Sequence, residues 1–118
     1  MVKRTRLYDR SEAVAVTIAL NQSLSAPVQL YGRGFFGVEM PSAWTAANLT
    51  FQVSTDGDTY RNLYDEDGNE VEVTAAANRF IRVFPADFMV FPYIRLRSGT
   101  AGVPVNQLAA RTLNLLLW

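Results

Sequence analysis

Apolar residues in this chain recur at every second position, in short runs cut by turn-forming residues, and that spacing suits strands and not helices. Val14, Val16, Ile18 and Leu20 alternate with Ala13, Ala15, Thr17 and Ala19, giving one greasy face and one small face. Val28 and Leu30 continue the pattern after Pro27, and Phe36, Val38 and Met40 form a third segment ended by Pro41. Leu49, Phe51 and Val53 face one way while Thr50, Gln52 and Ser54 face the other, the clearest strand in the chain. Ser54-Thr55-Asp56-Gly57 then reads as a tight turn, because Asp-Gly suits the positive φ that hairpin turns demand.

Further on, Tyr60, Leu63 and Tyr64 lead to a second turn at Asp65-Glu66-Asp67-Gly68-Asn69. Val71 and Val73 predict a short strand with Glu70 and Glu72 outward, followed by Phe80, Ile81 and Val83. Tyr93, Ile94 and Leu96 come next with Arg95 and Arg97 outward, and Leu113, Leu115 and Leu117 close the chain. Only Ser42 to Ala47 and Pro85 to Met89 leave room for a helical turn. About eight short strands with turn signals between them predict an all-β fold, a single antiparallel β-sandwich or jelly roll. Its expected core is Val14, Val16, Ile18, Phe51, Val53, Ile94, Leu96, Leu113 and Leu115.

The 118 residues suit one domain, and the chain has neither cysteine nor histidine. Disulfides, thiolate metal sites, His-based zinc sites and Ser-His-Asp or Cys-His nucleophiles are therefore excluded. Formal net charge is zero, so bulk electrostatics point to no nucleic-acid partner. No apolar run approaches a membrane span and no secretion signal is expected, so neither a membrane nor export is implied. Charge is unevenly spread: at residues 1–10, Lys3, Arg4, Arg6 and Arg10 stand against Asp9, a net of +3. This basic arm, preceding a sandwich domain at 11–118, is either a solvated terminus or a tail that contacts an acidic partner.

The acidic loop at 65–69 fails the EF-hand spacing: counted from Asp65, glycine falls at the fourth position and the twelfth is Ala76. A looser oxygen site shared with Asp56 and Asp58 is the alternative, but hairpin turns are ordinarily rich in Asp, Asn and Gly, and no metal is expected. The remaining acids lie in turns or alternate outward, which suits solvated carboxylates better than a glycosidase pair. Gly32-Arg33-Gly34 lacks the glycine spacing and following helix of a phosphate loop and reads as a turn between strands. Tyr31, Trp44, Tyr60, Tyr64, Tyr93 and Trp118 fall at strand ends or in loops, where rings stack on sugars or anchor protein interfaces.

Two resemblances add to this. The run Leu49-Thr50-Phe51-Gln52-Val53-Ser54-Thr55-Asp56-Gly57-Asp58-Thr59-Tyr60, with Tyr93-Ile94-Arg95-Leu96-Arg97 downstream, resembles the discoidin-like (galactose-binding-like) jelly roll. That likeness implies a fold and carries no binding residue, and the absence of cysteine departs from the disulfide-closed members of the family. The stretches "SLSAPVQLYGRG", "MPSAWTAANLTFQVSTDGDTYRNLYDEDGNEVEV" and "RFIRVFPADF…YIRLRSGT…RTLNLLLW" look like small proteins encoded among the head genes of tailed phages and prophages. This second likeness implies a non-enzymatic virion structural protein, made in the host cytoplasm, that decorates or cements the capsid or forms part of a head fibre. Its implied partners are the major capsid protein or other virion subunits, in a homo-oligomer or symmetric array. Lys3, Arg4, Arg6, Leu7, Tyr8, Arg10 and Trp118 are the expected contacts. The alternative is a carbohydrate-binding sandwich that takes a glycan through its loop aromatics. No catalytic residue, cofactor or metal site is expected.

Overall fold

The alternation resolves into eight strands in the computed structural model, which describes residues 11–118. They are β1 (Glu12–Ile18), β2 (Val28–Gln29), β3 (Phe35–Glu39), β4 (Leu49–Ser54), β5 (Arg61–Asn62), β6 (Phe80–Arg82), β7 (Tyr93–Ser98) and β8 (Arg111–Leu117). One antiparallel sheet has the order β1-β8-β3-β6 and the other β2-β7-β4-β5, and the two pack as a β-sandwich. Among the described residues the one helical piece is a 3-10 turn at Pro85–Asp87; Ser42 to Ala47 form no helix.

Alternation puts one face of each long strand into the space between the sheets. Val16, Ile18, Phe51, Val53, Ile94, Leu96, Leu113 and Leu115 are buried there, and Val14 packs half-buried against them. Three rings tie the layers together. Phe35 of β3 and Phe51 of β4 meet edge-to-face at 6.0 Å, and Phe88, just after the 3-10 turn, wedges against each at 4.8 Å. Edge-to-face contact suits the ring quadrupoles and adds to the area that the rings bury.

The third segment departs from the sequence pattern. Phe35 is buried and Phe36 is 43% exposed, the reverse of the expected parity. The register of β3 against β8 shifts between Phe35 and Gly37, a bulge that inserts one residue. Counting back from Val38 by twos therefore lands on the wrong phenylalanine. Leu20 and Phe80, expected on apolar faces, are exposed as well: Leu20 lies beyond the end of β1, and Phe80 opens the short edge strand β6.

The outer face of the β2-β7-β4-β5 sheet is not open, as the alternation suggested. Arg97 and Glu70, both expected outward, are an ion pair of 3.2 Å with side chains only 7% and 14% exposed. The Arg97 guanidinium also donates to Asn62 Oδ1 and Thr50 Oγ1, and Glu70 accepts the Ala101 N–H. The segments that cover them are held by backbone bonds, Leu49 to Val73 in both directions and Val71 N–H to Leu63 C=O. Val73 thus forms an isolated bridge with Leu49, and Val71 a single backbone bond to Leu63, in place of the expected strand.

At one end, Gln107 is fully buried and fully satisfied. Its amide nitrogen donates to Thr45 C=O and Ser98 Oγ, and its oxygen accepts from Thr45 N–H and Arg111 Nε. This side chain joins the 41–48 loop to β7 and to the start of β8. Gly99 beside it has φ +90°, and a Cβ there would sit 2.5 Å from the Val103 carbonyl, so only glycine fits.

Candidate functional site

Of the ten exposed large apolar side chains among the described residues, Tyr31, Phe36, Phe84, Met89 and Val90 belong to the segments at the end of the sandwich where β8 finishes, and Leu20, Tyr64, Phe80, Val103 and Leu108 lie elsewhere. Trp118 is held by reciprocal backbone bonds to Gly34, 2.8 and 3.0 Å, and its ring meets Phe36 edge-on at 6.3 Å. Phe36, Pro85, Met89 and Trp118 line a shallow depression of about 300 Å³ with Gly32–Gly34 at its rim. Met89 is 71% exposed, and Phe84 and Val90, next in sequence to Pro85 and Met89, are 69% and 76% exposed. The 3-10 turn creates this arrangement: it sends Phe88 into the core and leaves the residues on either side of it facing out.

Beside it stands the Leu30–Arg33 turn, closed by an Arg33 N–H to Leu30 C=O bond of 3.0 Å. Tyr31 and Gly32 have φ of 56° and 73°, as in the primed turns that glycine and asparagine favour. Tyr31 is 76% exposed, so no packing explains a tyrosine in the left-handed region. Its neighbour Arg33 pairs with Glu12 at the start of β1. Between β1 and β2 runs a groove of about 760 Å³, with Val14, Val28 and Leu30 in its floor and Glu12, Gln29 and Tyr31 along its rim.

Of the expected contact residues, Trp118 is therefore brought into an apolar cluster. Lys3, Arg4, Arg6, Leu7, Tyr8 and Arg10 lie outside the described residues; the chain enters β1 at Glu12, whose register partner is Leu117, one residue from Trp118. Phe84, Met89 and Val90 were missed, because single apolar residues in a loop have no period to betray them. Trp44 packs half-buried against the core, Tyr60 lies 4.1 Å under the Arg95 guanidinium, and Tyr64 adjoins the acidic turn.

The two acidic turns use their oxygens locally. Asp65 Oδ1 accepts the Asp67 and Asn69 N–H groups, and Asp56 Oδ1 accepts those of Asp58 and Thr59. The Thr59 and Asp58 bonds hold Asp56 below the usual carboxylate range. Burial pushes Asp87 up, helped by the nearby Glu66 and Asp65 charges, and burial likewise raises the Tyr60 phenol. Among the described residues no three acidic, cysteine or histidine side chains gather as a metal site, and no helix is long and apolar enough to cross a membrane.

Comparison with known proteins finds no matching family model, no similar curated protein and no matching solved structure.

Proposed function

We propose that this chain is a non-enzymatic virion structural protein, decorating or cementing a tailed-phage capsid, and that the apolar end around Trp118 is its docking surface. One observation carries the reading. Phe36 and Met89, both exposed, line one depression with Trp118, and Tyr31, Phe84 and Val90, also exposed, each adjoin one of its lining residues in sequence. Aromatic and methionine side chains of this kind are what protein interfaces concentrate, and a monomer gains nothing by exposing them together. The phage-head likeness of the sequence supplies the partner, an outer capsid subunit. The same end is where the described chain begins, so the preceding basic residues would steer an approach to an acidic capsid surface while the apolar cluster supplies affinity.

Cosedimentation of the purified chain with empty capsids assembled without it tests this. Saturable binding is expected, lost on Met89→Glu and on Phe84→Glu, both at exposed positions that leave the fold intact. Wild-type binding by both variants, or no binding by the wild type, overturns the proposal.

A further inference from the structure

Among the described residues the sandwich has four edge strands, and three are blunted. β2 and β5 are two residues long, the first directly after Pro27 and the second containing Arg61. β6 is three residues long, contains Arg82 and follows Arg79. Shortness, proline and charge are the devices that keep sheet edges from pairing with other chains. β1 is neither short nor broken by proline, and its charge is confined to one end. It runs seven residues, Glu12–Ile18, in unbroken register with β8, and among the described residues it pairs on that side alone. Its outward residues Ala13, Ala15 and Thr17 are small and uncharged. Its one charge, Glu12, is matched within the chain by Arg33. Among the described residues a groove of about 760 Å³ runs along its other side, and Val14 at its floor is only half-buried.

We infer that β1 is a homotypic pairing edge, and that its occupant is β1 of a second copy, antiparallel about a twofold axis at Ala15. The strand is self-complementary in that register. Glu12 falls opposite Ile18 of the second copy, Ala13 opposite Thr17, Val14 opposite Val16, and Ala15 opposite Ala15. The two Glu12 carboxylates stand six residues apart along the pair, about 20 Å at ~3.4 Å per residue, so no like charges meet. The contact is isologous and closes after two copies. It joins the two four-stranded β1-β8-β3-β6 sheets into one continuous sheet. This goes beyond the proposed capsid docking, which uses the end around Trp118; the two surfaces meet only at Tyr31 and Arg33 on the rim of the β1 groove.

The twofold makes a decisive test available, because residue 15 meets itself. Sedimentation equilibrium on the full chain at about 100 μM is expected to show a dimer. Ala15→Lys and Ala15→Glu, at an exposed position, should each melt like the wild type when dilute enough for all three to be monomeric, yet weaken dimerisation on the order of tenfold, because like charges lie directly opposite. An equimolar mixture of the two should recover the dimer as a heterodimer. A monomeric wild type overturns the inference, and so does a dimer that both variants retain, which would use another surface. Variants that are both monomeric and stay so when mixed overturn the Ala15 axis. A monomeric wild type whose β1 amides gain hydrogen-exchange protection only with capsids present would assign the edge to another protein's strand.

Discussion

Arg97 of β7 and Glu70 of the covering segment form an ion pair of 3.2 Å on the outer face of a sheet, where both are nearly buried. The pair is part of a network, since Arg97 also donates to Asn62 and Thr50 and Glu70 accepts from Ala101. Removing one partner strands the other charge away from water. Arg97→Met and Glu70→Gln alone should therefore each cost about 3 kcal/mol, while the double variant costs clearly less than their sum. Urea melts of the four proteins measure this coupling, and strict additivity would show that the pair is not one unit.

Why that network was invisible in the sequence is a physical matter. Alternation assigns Arg95 and Arg97 to the face opposite Ile94 and Leu96, and this is where they are. It cannot say whether that face meets water or is roofed by another part of the chain. Here the 63–73 segment roofs Arg97, through bonds to Leu49 and Leu63 that no local pattern encodes. The strands whose neighbours are themselves regular, β1, β4, β7 and β8, were legible almost residue by residue. Phe88 was not, because a single 3-10 turn is too short to show a period. Of the apolar end, Tyr31 and Trp118 could be picked out beforehand as loop aromatics; Phe36, Phe84, Met89 and Val90 are placed by a turn and a bulge.

That bulge gives the next expectation. Phe35→Ala removes a fully buried ring that touches both Phe51 and Phe88 and should cost about 3–5 kcal/mol. Phe36→Ala removes a ring that is 43% exposed, with one edge contact to Trp118, and should cost about 1 kcal/mol or less. Thermal melts of the two variants decide the parity: equal losses, or the reverse order, would place the bulge elsewhere.

Gln107 offers a cleaner test of a satisfied buried polar group. Gln107→Leu keeps the volume but leaves Thr45, Ser98 and Arg111 without the partners they now have. The expected cost is about 2–4 kcal/mol, read from chemical denaturation. A neutral outcome would mean that water replaces the amide.

Two carboxylates should show opposite pH signatures. Asp87 is raised above its ordinary value near 3.8, so its ionised form opposes folding at neutral pH and the penalty vanishes below that ordinary value. Asp87→Asn should then raise the melting temperature near pH 7 and change nothing near pH 3. Asp56 is lowered, so its contribution is present above the ordinary value and is lost as pH falls through its own depressed one. Asp56→Asn should lower the melting temperature at neutral pH, with the difference closing in acid. Asp56 is exposed and Asp87 half-buried, and the signs of the two effects are what melts across the pH range must reproduce.

Tyr31 separates stability from attachment. With φ of 56° it occupies a conformation in which asparagine rests more easily, and its ring is 76% exposed. Tyr31→Asn should therefore stabilise the isolated domain by about 0.5–1 kcal/mol, through relief of backbone strain. Tyr31→Phe keeps both strain and ring and should leave stability unchanged. If the strained tyrosine is retained because its ring meets the capsid, Tyr31→Asn should also bind empty capsids severalfold more weakly, while Tyr31→Phe binds nearly as well as the wild type. Gain of stability and loss of binding in one substitution is the expected signature of a residue kept for contact. A Tyr31→Asn protein that is more stable and binds as before would remove the ring from the docking surface; one that is less stable would show that the ring makes contacts within its own domain.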